Sequence, residues 1–527
     1  MKRNPSKNNE IMSSLFDVII VGGGITGAGI LMEAGKNGLN TILIEKGDFA
    51  SGTSSKSAKL AHGGLRYLKY GHFRLVKEAL NERDYLLKTY PHLVKPLSFI
   101  YPIYNTKLKI QVFLAMLLYL LLNLFSSLSG FKYYNRKKTL KKYPNLNTVN
   151  LKGSYMYYDA VTSDARLCNE IIHKSKDQYS TIALNYFELI SYEQKKDCIQ
   201  LKCIDRIENK EVILSSKYVV NASGPWMDEI SKDIFSSNEK ITAPSKGSHI
   251  ILSKKRFPIE SSLLFSTMAD DNRWLYTVPW EHNTVIIGAT DTDYNNAIDE
   301  VKVDISDDTY ILNAINHIVP DLNISKDDII CSFVGIRPLL KDKSVSSKDR
   351  SREYKVWWLN ENILNVYGGK LTSFHSMARK SIILLNEKLG ANEITKKIIS
   401  KNKINPNIYD FPKEFISNIK ERYNDESDRV FTICKEDRKG LNKLHNDFEI
   451  YIAEIIYFIR HQSCYCIDDV LGRRLSLSYV LPKFTEKEKI VDKTAEIFKK
   501  ELEWNDEKHL QEKAVYLKLL KEKNLYL

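Results

Sequence analysis

Strand and helix patterns alternate along the chain up to about residue 395. The opening segment begins with the apolar strand pattern FDVIIVGG, continues through a glycine turn and a helical pattern, and ends in a second apolar strand, TILIEKG. This order predicts the start of a parallel, doubly wound sheet. Further buried-strand patterns occur at YVVNASGPW, IIGATD and NILNVYGG, whereas alternating stretches such as ALNYFELISYEQKKDCIQLKCID predict antiparallel strands.

The pattern changes after about residue 396, where long Lys- and Glu-rich helical segments with few glycines begin. We therefore predict a mixed α/β (α+β) fold with two domains. Residues 1–395 form a doubly wound sheet domain assembled from separated segments, with an antiparallel-sheet substrate domain interleaved at roughly 80–150 and 240–330. Residues 396–527 form a helical C-terminal cap.

One segment is far more apolar than the rest. Residues 110–131 contain no charged residue, and basic residues flank them on both sides, among them Lys107, Lys109, Lys132 and Arg136. The length suits a membrane span, but a single span would put the two halves of one fold on opposite sides of the bilayer. We therefore favour an interfacial segment held against anionic lipid, with core or oligomer packing and a true span as alternatives.

Composition restricts the class of protein. With 527 residues, 43 % hydrophobic and 27 % charged, the chain is neither disordered nor a polytopic membrane protein. The net charge of +13 favours anionic substrates, anionic lipid or nucleic acid as partners. Seven scattered cysteines predict no disulfide scaffold and no metal site, and the first residues predict no secretory signal. These features fit a cytoplasmic protein.

The first turn carries a nucleotide-binding motif. Gly22, Gly24 and Gly27 satisfy G-x-G-x-x-G between a strand and a helix, which allows a tight turn, close approach to a pyrophosphate and close helix packing. Glu45 ends the second strand, where a carboxylate hydrogen-bonds the hydroxyls of an adenosine ribose. An acid at this position favours FAD or NAD over NADP.

The next segment separates these two cofactors. A loop rich in hydroxyls, glycines and basic groups, KGDFASGTSSKSAKLAHGGLRY, follows soon after Glu45, where nicotinamide enzymes continue with a plain βα unit. Such a loop suits passage along a pyrophosphate and beneath a flavin. We therefore predict FAD, bound non-covalently.

The motifs resemble the FAD-dependent glycerol-3-phosphate dehydrogenase family over nearly the whole chain. TSSKSAKLAHGGLRYL, NASGPW, KGSHI, VGIRPLL and GGKLTS occur in the family's order, and IRHQSCYCIDDVLGRRLSL is similar to its helical cap. Phe374 and His375 depart from the family's usual tyrosine and arginine. The resemblance implies oxidation of sn-glycerol 3-phosphate to dihydroxyacetone phosphate, with the C2 hydride passed to flavin N5 and the electrons to a quinone or another acceptor.

This chemistry needs a phosphate anchor and a base. Arg337 and Arg66, set in glycine-rich turns, are candidates for phosphate binding, and Arg337 also for stabilising a developing alkoxide. His62 and His249 are candidate bases, and Lys370 a candidate contact to the flavin or the substrate. The predicted cofactor-binding residues are Gly22, Gly23, Gly24, Ile25, Thr26, Gly27, Glu45, Lys46, Thr53, Ser54, Ser55, Leu60, Gly63, Gly64, Gly369, Lys370, Leu371 and Thr372.

Alternatives within the same fold stay open. An oxidase that reduces oxygen, or an enzyme acting on an amino acid or a 2-hydroxy acid, shares the whole motif set. A non-catalytic or RNA-binding flavoprotein fits the charge, but the sequence has no aromatic and basic RNA-recognition strip, so no nucleic-acid partner is expected. The apolar segment predicts peripheral attachment to the inner face of the cell membrane with a quinone-type acceptor. A homodimer is a further possibility.

Overall fold

The structure is a computed structural model that describes residues 14–123, 126, 128–267, 273–341, 353–390 and 410–526, excluding the side chains of Arg66, Lys69 and Tyr70. The strands, in chain order, are β1 (Leu15–Val21), β2 (Thr41–Ile44), β3 (Leu60–Ala61), β4 (Val94–Ile103), β5 (Phe131–Asn135), β6 (Gly153–Thr162), β7 (Ile182–Leu184), β8 (Phe187–Gln194), β9 (Ile199–Asp205), β10 (Lys210–Asn221), β11 (Ser245–Ser253), β12 (Ser262–Ser266), β13 (Trp274–Trp280), β14 (Thr284–Gly288), β15 (Thr292–Asp293), β16 (Ile329–Arg337), β17 (Tyr354–Trp358) and β18 (Ile363–Gly368).

Helices cover the sheets and form the C-terminal region. They are α1 (Ile25–Lys36), α2 (Phe73–Thr89), α3 (Thr106–Leu122), α4 (Arg136–Lys142), α5 (Asp164–Tyr179), α6 (Met227–Glu229), α7 (Ile305–Ile318), α8 (Phe374–Leu389), α9 (Lys413–Tyr423), α10 (Ser427–Glu436), α11 (Ile452–His461), α12 (Lys487–Leu502) and α13 (Asp506–Glu522).

The first sheet has the order β17-β18-β10-β1-β2-β7, with β9 and β8 added beside β10. Its central strands β18, β10, β1, β2 and β7 run parallel, as their continuous apolar sequences predict. Helix α1 is buried between α8 and α5, and its small residues allow this close packing: a Cβ on Gly29 would lie 2.5 Å from the ring of Phe374. The predicted doubly wound sheet is confirmed.

The second sheet is built from the interleaved segments. Its order is β15-β11-β14-β13-β12-β4-β6-β3, with β16 beside β11 and β5 beside β6. Apart from β12 and β4, its paired strands are antiparallel. One apolar core includes α3 residues such as Met116, and another includes α7 residues such as Ile311. The predicted antiparallel domain is therefore present, and its strands come from residues 60–61, 94–162 and 245–337.

Helix α3 occupies the apolar segment, but it is shorter than the apolar run. It ends at Leu122, and the Asn123 side chain that follows accepts a hydrogen bond from Arg83 at 2.9 Å and donates to the Leu128 carbonyl at 3.1 Å. Among the helices in the described ranges, none is long and apolar enough to cross a membrane. Ile110, Leu114 and Leu121 on α3 are more than half exposed.

The C-terminal helices have their own apolar core, as predicted for a cap. A buried charge cluster ties them to the first sheet. Asp48 accepts hydrogen bonds from Arg473 at 2.5 Å and from Arg474 at 2.9 Å, and Asp48 and Arg474 are almost fully buried. Tyr479 adds a second tie by donating to the Ser55 carbonyl at 3.0 Å. The predicted boundary at residues 395–396 lies outside the described residues.

Candidate active site

A cavity of about 980 Å³ runs between the two sheets. The first sheet contributes the glycine turn after β1 and the ends of β2, β10 and β18, while the second contributes β11, β13 and β16. Ligands of doubly wound folds bind at this carboxyl edge of the parallel strands. The sheet topology therefore brings the separated sequence motifs to one place.

Two glycines of the motif are required by the protein itself. Gly22 has φ +112°, a region that favours glycine, and a Cβ there would lie 2.5 Å from the Ala222 carbonyl. A Cβ on Gly27 would lie 1.9 Å from the Gly22 carbonyl. Gly27 therefore permits the close contact between α1 and the turn.

Gly24 is different, because the protein alone does not require a glycine there. Its backbone is extended, with φ −79° and ψ −177°, and a Cβ would meet only the Ser54 Oγ, at 3.1 Å. Ser54 accepts a hydrogen bond from the Ile25 N–H at 2.9 Å, next to the positive end of α1. Gly24 thus leaves space over a helix N-terminus, which is the arrangement that binds a pyrophosphate.

Glu45 links the turn to the second strand. Its Oε2 accepts the Gly23 N–H at 2.7 Å and its Oε1 accepts the Gly47 N–H at 2.9 Å. Burial raises the pKa of Glu45, opposed by these two N–H groups. Since a carboxylate has about four lone-pair sites, Glu45 retains acceptor capacity toward a ribose at the cavity wall.

The loop after Glu45 closes one side of the cavity. Lys46 forms an ion pair with Asp299 at 3.0 Å, and its ammonium lies 4.4 Å from the centre of the Trp226 ring. The Thr53 hydroxyl donates to the Ile336 carbonyl at 2.7 Å. These contacts attach the loop of the first sheet to the second, so the wall of the cavity is continuous.

The segment around His62 meets the segment around Lys370. The Lys370 ammonium lies 3.8 Å from the centre of the Tyr67 ring, and the His62 N–H donates to the Thr372 hydroxyl at 3.4 Å. Gly64 and Gly369 both have positive φ, at +77° and +73°, which lets the two loops turn sharply beside each other. One cation and one imidazole thereby face the cavity from adjacent loops.

His249 lies in the wall of the same cavity on β11. It is 4 % exposed, its ring stacks on Phe333 with centres 4.6 Å apart, and neither ring nitrogen has a hydrogen-bond partner among the described residues. Burial, with Arg337 and Lys59 nearby, lowers the pKa of His249 well below 6.5. His249 is therefore a neutral imidazole with acceptor capacity at neutral pH.

Arg337 ends β16 at the cavity wall. Its guanidinium pairs with Asp291 at 3.0 Å and donates to the Thr290 and Lys246 carbonyls at 2.8 and 3.2 Å. The arginine is thus held in a fixed orientation. Its charge is partly balanced by Asp291, a feature that sequence reasoning did not indicate.

The structure gathers most of the predicted residues at the cavity. His62, His249, Arg337 and Lys370 line it, together with the predicted cofactor-binding residues Gly22, Gly24, Ile25, Thr26, Glu45, Lys46, Thr53, Ser54, Leu60, Gly64, Gly369, Leu371 and Thr372. Four predicted residues lie behind the wall: Gly23, Gly27, Ser55 and Gly63. The Arg66 side chain lies outside the described residues, so its role stays a prediction.

Several lining residues were not predicted. Arg273, Trp274 and Tyr276 enter on β13 and just before it. The VPW segment marked their neighbourhood, but the individual side chains carry no motif of their own. Arg273 adds a further cation to the cavity wall. Within the described ranges, no cluster of His, Cys, Asp and Glu is suited to hold a metal.

The residues present fit FAD. The open space at Gly24, the N-terminus of α1 and the spare acceptors of Glu45 suit a pyrophosphate and an adenosine ribose. The cavity is also large enough for a ligand beyond the size of a mononucleotide. When bound, FAD would be held by the glycine turn, Glu45 and the loops around Thr53 and Lys370.

The comparisons with known proteins agree with this arrangement. Residues 17–378 match the family model of FAD dependent oxidoreductases, and residues 363–509 match the C-terminal domain of alpha-glycerophosphate oxidase. The fold and site therefore define a flavin-dependent oxidoreductase.

Two relatives extend the match to most of the chain. An aerobic glycerol-3-phosphate dehydrogenase of Staphylococcus epidermidis is 31 % identical over 91 % of this chain and 90 % of its own length. The protein of the same name from Staphylococcus aureus is 30 % identical over 91 % of this chain and 89 % of its own length. The chain belongs to the aerobic glycerol-3-phosphate dehydrogenase family, which confirms the resemblance predicted from the sequence.

Solved structures support the fold. The glycerol-3-phosphate dehydrogenase of Bacillus halodurans, complexed with FAD, covers 99 % of this chain and 98 % of its own with a TM-score of 0.78 at 24 % identity. The L-alpha-glycerophosphate oxidase of Mycoplasma pneumoniae, with FAD bound, covers 74 % of this chain and 97 % of its own, with a TM-score of 0.58 at 16 % identity. The fold class predicted from the sequence is thus confirmed, and the match to the family model of FAD dependent oxidoreductases confirms the cofactor.

Proposed function

We propose that the protein oxidises sn-glycerol 3-phosphate to dihydroxyacetone phosphate. The observation that carries this proposal is the convergence of His249, Arg337 and Lys370 on the cavity that holds the dinucleotide-binding turn. An imidazole kept neutral by burial and two cations suit an alcohol substrate with an anionic group. Bound FAD would supply the acceptor for the C2 hydride.

The cations provide the substrate's charge recognition. Arg337 is oriented by Asp291, so its guanidinium needs little reorganisation to meet an oxygen of the substrate. Arg273 and the predicted Arg66 are further candidates for the phosphate. Lys370 lies beside the glycine loop at Gly64 and suits an anionic partner at the cavity wall.

His249 is the proposed base that accepts the hydroxyl proton. Its neutral ring has an acceptor nitrogen, and Phe333 fixes the plane of the ring. His62 lines the same cavity and is the alternative. Because His249 is almost fully buried and His62 is half-buried, water competes less for the proton site on His249.

The reaction is tested by following flavin colour in the stopped-flow spectrophotometer without oxygen. Glycerol 3-phosphate is expected to bleach the yellow holoenzyme, and Arg337→Ala to lower catalytic efficiency by roughly 30- to 1,000-fold with FAD still bound. Arg256→Ala, which removes an arginine paired with Asp328 instead, is the matched control. A holoenzyme that glycerol 3-phosphate does not reduce would overturn the proposal.

The same assay with glycerol separates two roles of Arg337. If Arg337 binds the phosphate, its loss should matter little for a substrate that lacks phosphate. An equal loss with both substrates would instead assign Arg337 to the C2 oxygen.

We also propose that α3 attaches the protein to an anionic membrane surface on the cytoplasmic side. Five large apolar side chains that lie between 39 and 58 % exposed share one face of α3: Ile110, Phe113, Leu114, Leu117 and Leu121. Exposed basic residues lie around this helix, including Lys107 in its first turn and Arg136, Lys137 and Lys138 on α4. An apolar face with a basic border suits the interface of an anionic bilayer.

Membrane attachment would supply the electron acceptor. A quinone dissolved in the bilayer is an apolar two-electron acceptor that a surface-bound enzyme can reach. We therefore propose a quinone-type acceptor, which reoxidation of the reduced holoenzyme by a short-chain quinone analogue would test. Reoxidation by oxygen at a comparable rate would favour an oxidase.

A further inference from the structure

A buried carboxylate connects the apolar helix α3 to a loop beside the cavity. Asp159 lies on β6 and is 2 % exposed. Its Oδ1 accepts hydrogen bonds from the Tyr119 hydroxyl at 2.8 Å, the Arg83 guanidinium at 2.8 Å and the Gly63 N–H at 3.2 Å. One oxygen atom therefore holds donors from α3, from α2 and from the loop of residues 62–64.

The contact between α3 and this loop is tight. A Cβ on Gly63 would lie 2.3 Å from the Tyr119 hydroxyl and 2.4 Å from Leu80 Cδ2. Tyr119 is 4 % exposed, so it lies on the buried face of α3 while Leu117 and Leu121 lie on the exposed face. A shift of the helix therefore cannot leave the loop in place, because close-packed groups transmit displacement.

The same carboxylate fixes the end of α3 through Arg83. This arginine, which is fully buried, also donates to the Asn123 side chain at 2.9 Å and to the Ser126 hydroxyl at 2.8 Å. On α2, Lys77 donates to the Leu122 carbonyl at 2.8 Å. Burial raises the pKa of Tyr119 well above 10, so its hydroxyl stays a donor over the working pH range.

We propose that Tyr119 and Asp159 are positioning residues that set the loop of residues 62–64 from the position of α3. Neither belongs to the described cavity lining, whereas His62 and Gly64, on either side of Gly63, do. The proposal rests on the proposed function, in which the loop of residues 62–64 lies against the bound flavin. In this proposal, hydrogen bonds to Asp159 join α3 and the loop of residues 62–64 into one unit.

The test compares two tyrosines that bond across the interface of α3 and β6. Tyr119→Phe removes the hydroxyl that reaches Asp159 and keeps the ring, which packs edge-on against Tyr157. Tyr155→Phe is the matched control, since Tyr155 on β6 is equally buried and donates to the Lys109 carbonyl of α3 at 3.3 Å, away from the loop. Both substitutions lose one hydroxyl from the same interface.

The main measurement is amide hydrogen exchange of the peptide covering residues 59–68, with and without FAD. Tyr119→Phe is expected to speed exchange there by about 10-fold, as the loss of one hydrogen bond to a buried carboxylate predicts, while Tyr155→Phe leaves it unchanged. The visible spectrum and midpoint potential of the bound flavin should shift in Tyr119→Phe only. Equal exchange and equal flavin properties in the two variants would overturn the proposal.

A second arm needs no substitution and therefore covers poor folding of the variant. Adding vesicles of anionic phospholipid to the wild-type holoenzyme should slow exchange in residues 59–68. Unchanged exchange with vesicles bound would overturn the link to α3. None of these measurements uses glycerol 3-phosphate, so failure of the proposed reaction is seen separately, in the flavin-bleaching assay. Failure of the holoenzyme to bind vesicles would contradict the proposed membrane attachment of α3 only.

Discussion

At the scale of single residues, Gly24 gives the sharpest prediction about the cofactor. Its extended backbone is open to any residue, so Gly24→Val should fold, yet its side chain would fill the space kept for the pyrophosphate. We expect a folded protein without yellow cofactor. Absorbance at the flavin maximum and thermal unfolding of the FAD-free protein check the two parts, and stoichiometric FAD in this variant would contradict the assignment.

His249 predicts a pH dependence. Burial lowers the pKa of His249 below 6.5, so the base stays neutral as the pH falls toward that value and becomes protonated only below it. Flavin reduction should therefore keep its rate at pH 6.5 and fall only at a pH well below that value. His249→Asn should slow reduction by about 100- to 10,000-fold. The pH profiles of His249→Asn and His62→Asn identify the base. Only replacement of the base should abolish the fall in the rate of flavin reduction at low pH.

The site residues that the sequence predicts reach the cavity in a different way from those that it does not predict. The glycine turn and Glu45 could be predicted because a continuous strand–turn–helix–strand unit fixes their spacing. Arg273 and Tyr276 reach the cavity only because the second sheet packs against the first, which no local pattern records. The partner of Arg337, Asp291, was hidden for the same reason.

At the scale of elements, α3 separates membrane binding from folding. Replacing Leu114, Leu117 and Leu121 by Ser should release the protein from anionic vesicles with FAD retained, since each exposed leucine loses about 1.5 to 3 kcal/mol of burial in lipid. Vesicle co-sedimentation and flavin content measure the two effects. High salt should weaken binding only in part, because the apolar face is unaffected by screening.

The buried face of α3 provides the control. Met116→Ser removes a side chain that is 1 % exposed and should lower the stability of the fold by about 2 to 5 kcal/mol. Leu118 and Leu122 pack against the core, so they are unsuitable for a membrane test. If the exposed-leucine variant aggregates or loses FAD, α3 faces another protein surface instead.

The sequence predicted the existence of this helix better than its end. The uncharged run extends to residue 131, but the polar residues that begin at Asn123 coincide with the end of the helix, and Arg83 of α2 holds the Asn123 side chain. That contact joins residues 40 apart in sequence and has no local pattern.

At the scale of the whole molecule, the C-terminal cap and the loop that follows Glu45 share one buried ion cluster, in which Arg473 and Arg474 bond to Asp48. Arg474→Met leaves the buried Asp48 without one of its partners and should lower the free energy of unfolding by about 3 to 5 kcal/mol. We expect weaker FAD binding too, because Asp48 lies in the loop that follows Glu45. Arg460→Met removes an exposed arginine of the cap that pairs with Glu436 and Glu501, and it should cost less than Arg474→Met, about 1 kcal/mol.

Thermal unfolding and FAD titration of both variants check this prediction. Equal effects of the two substitutions would contradict it. The sequence predicted the cap as a helical region but not its tie to the loop, since Asp48 and Arg474 are 426 residues apart. An ion pair of that separation leaves no periodic signal.

The parallel sheet also has a consequence for biosynthesis. Its strand β1 begins at Leu15, but β18, which pairs with β10 and leads into the Lys370 loop, begins at Ile363. At about 5 to 20 residues per second, roughly 20 to 70 s separate the emergence of these strands from the ribosome. Strand β10 ends at Asn221, so its apolar edge waits roughly 7 to 28 s for β18, and the nascent chain has to be shielded before the cofactor has a complete site to stabilise it.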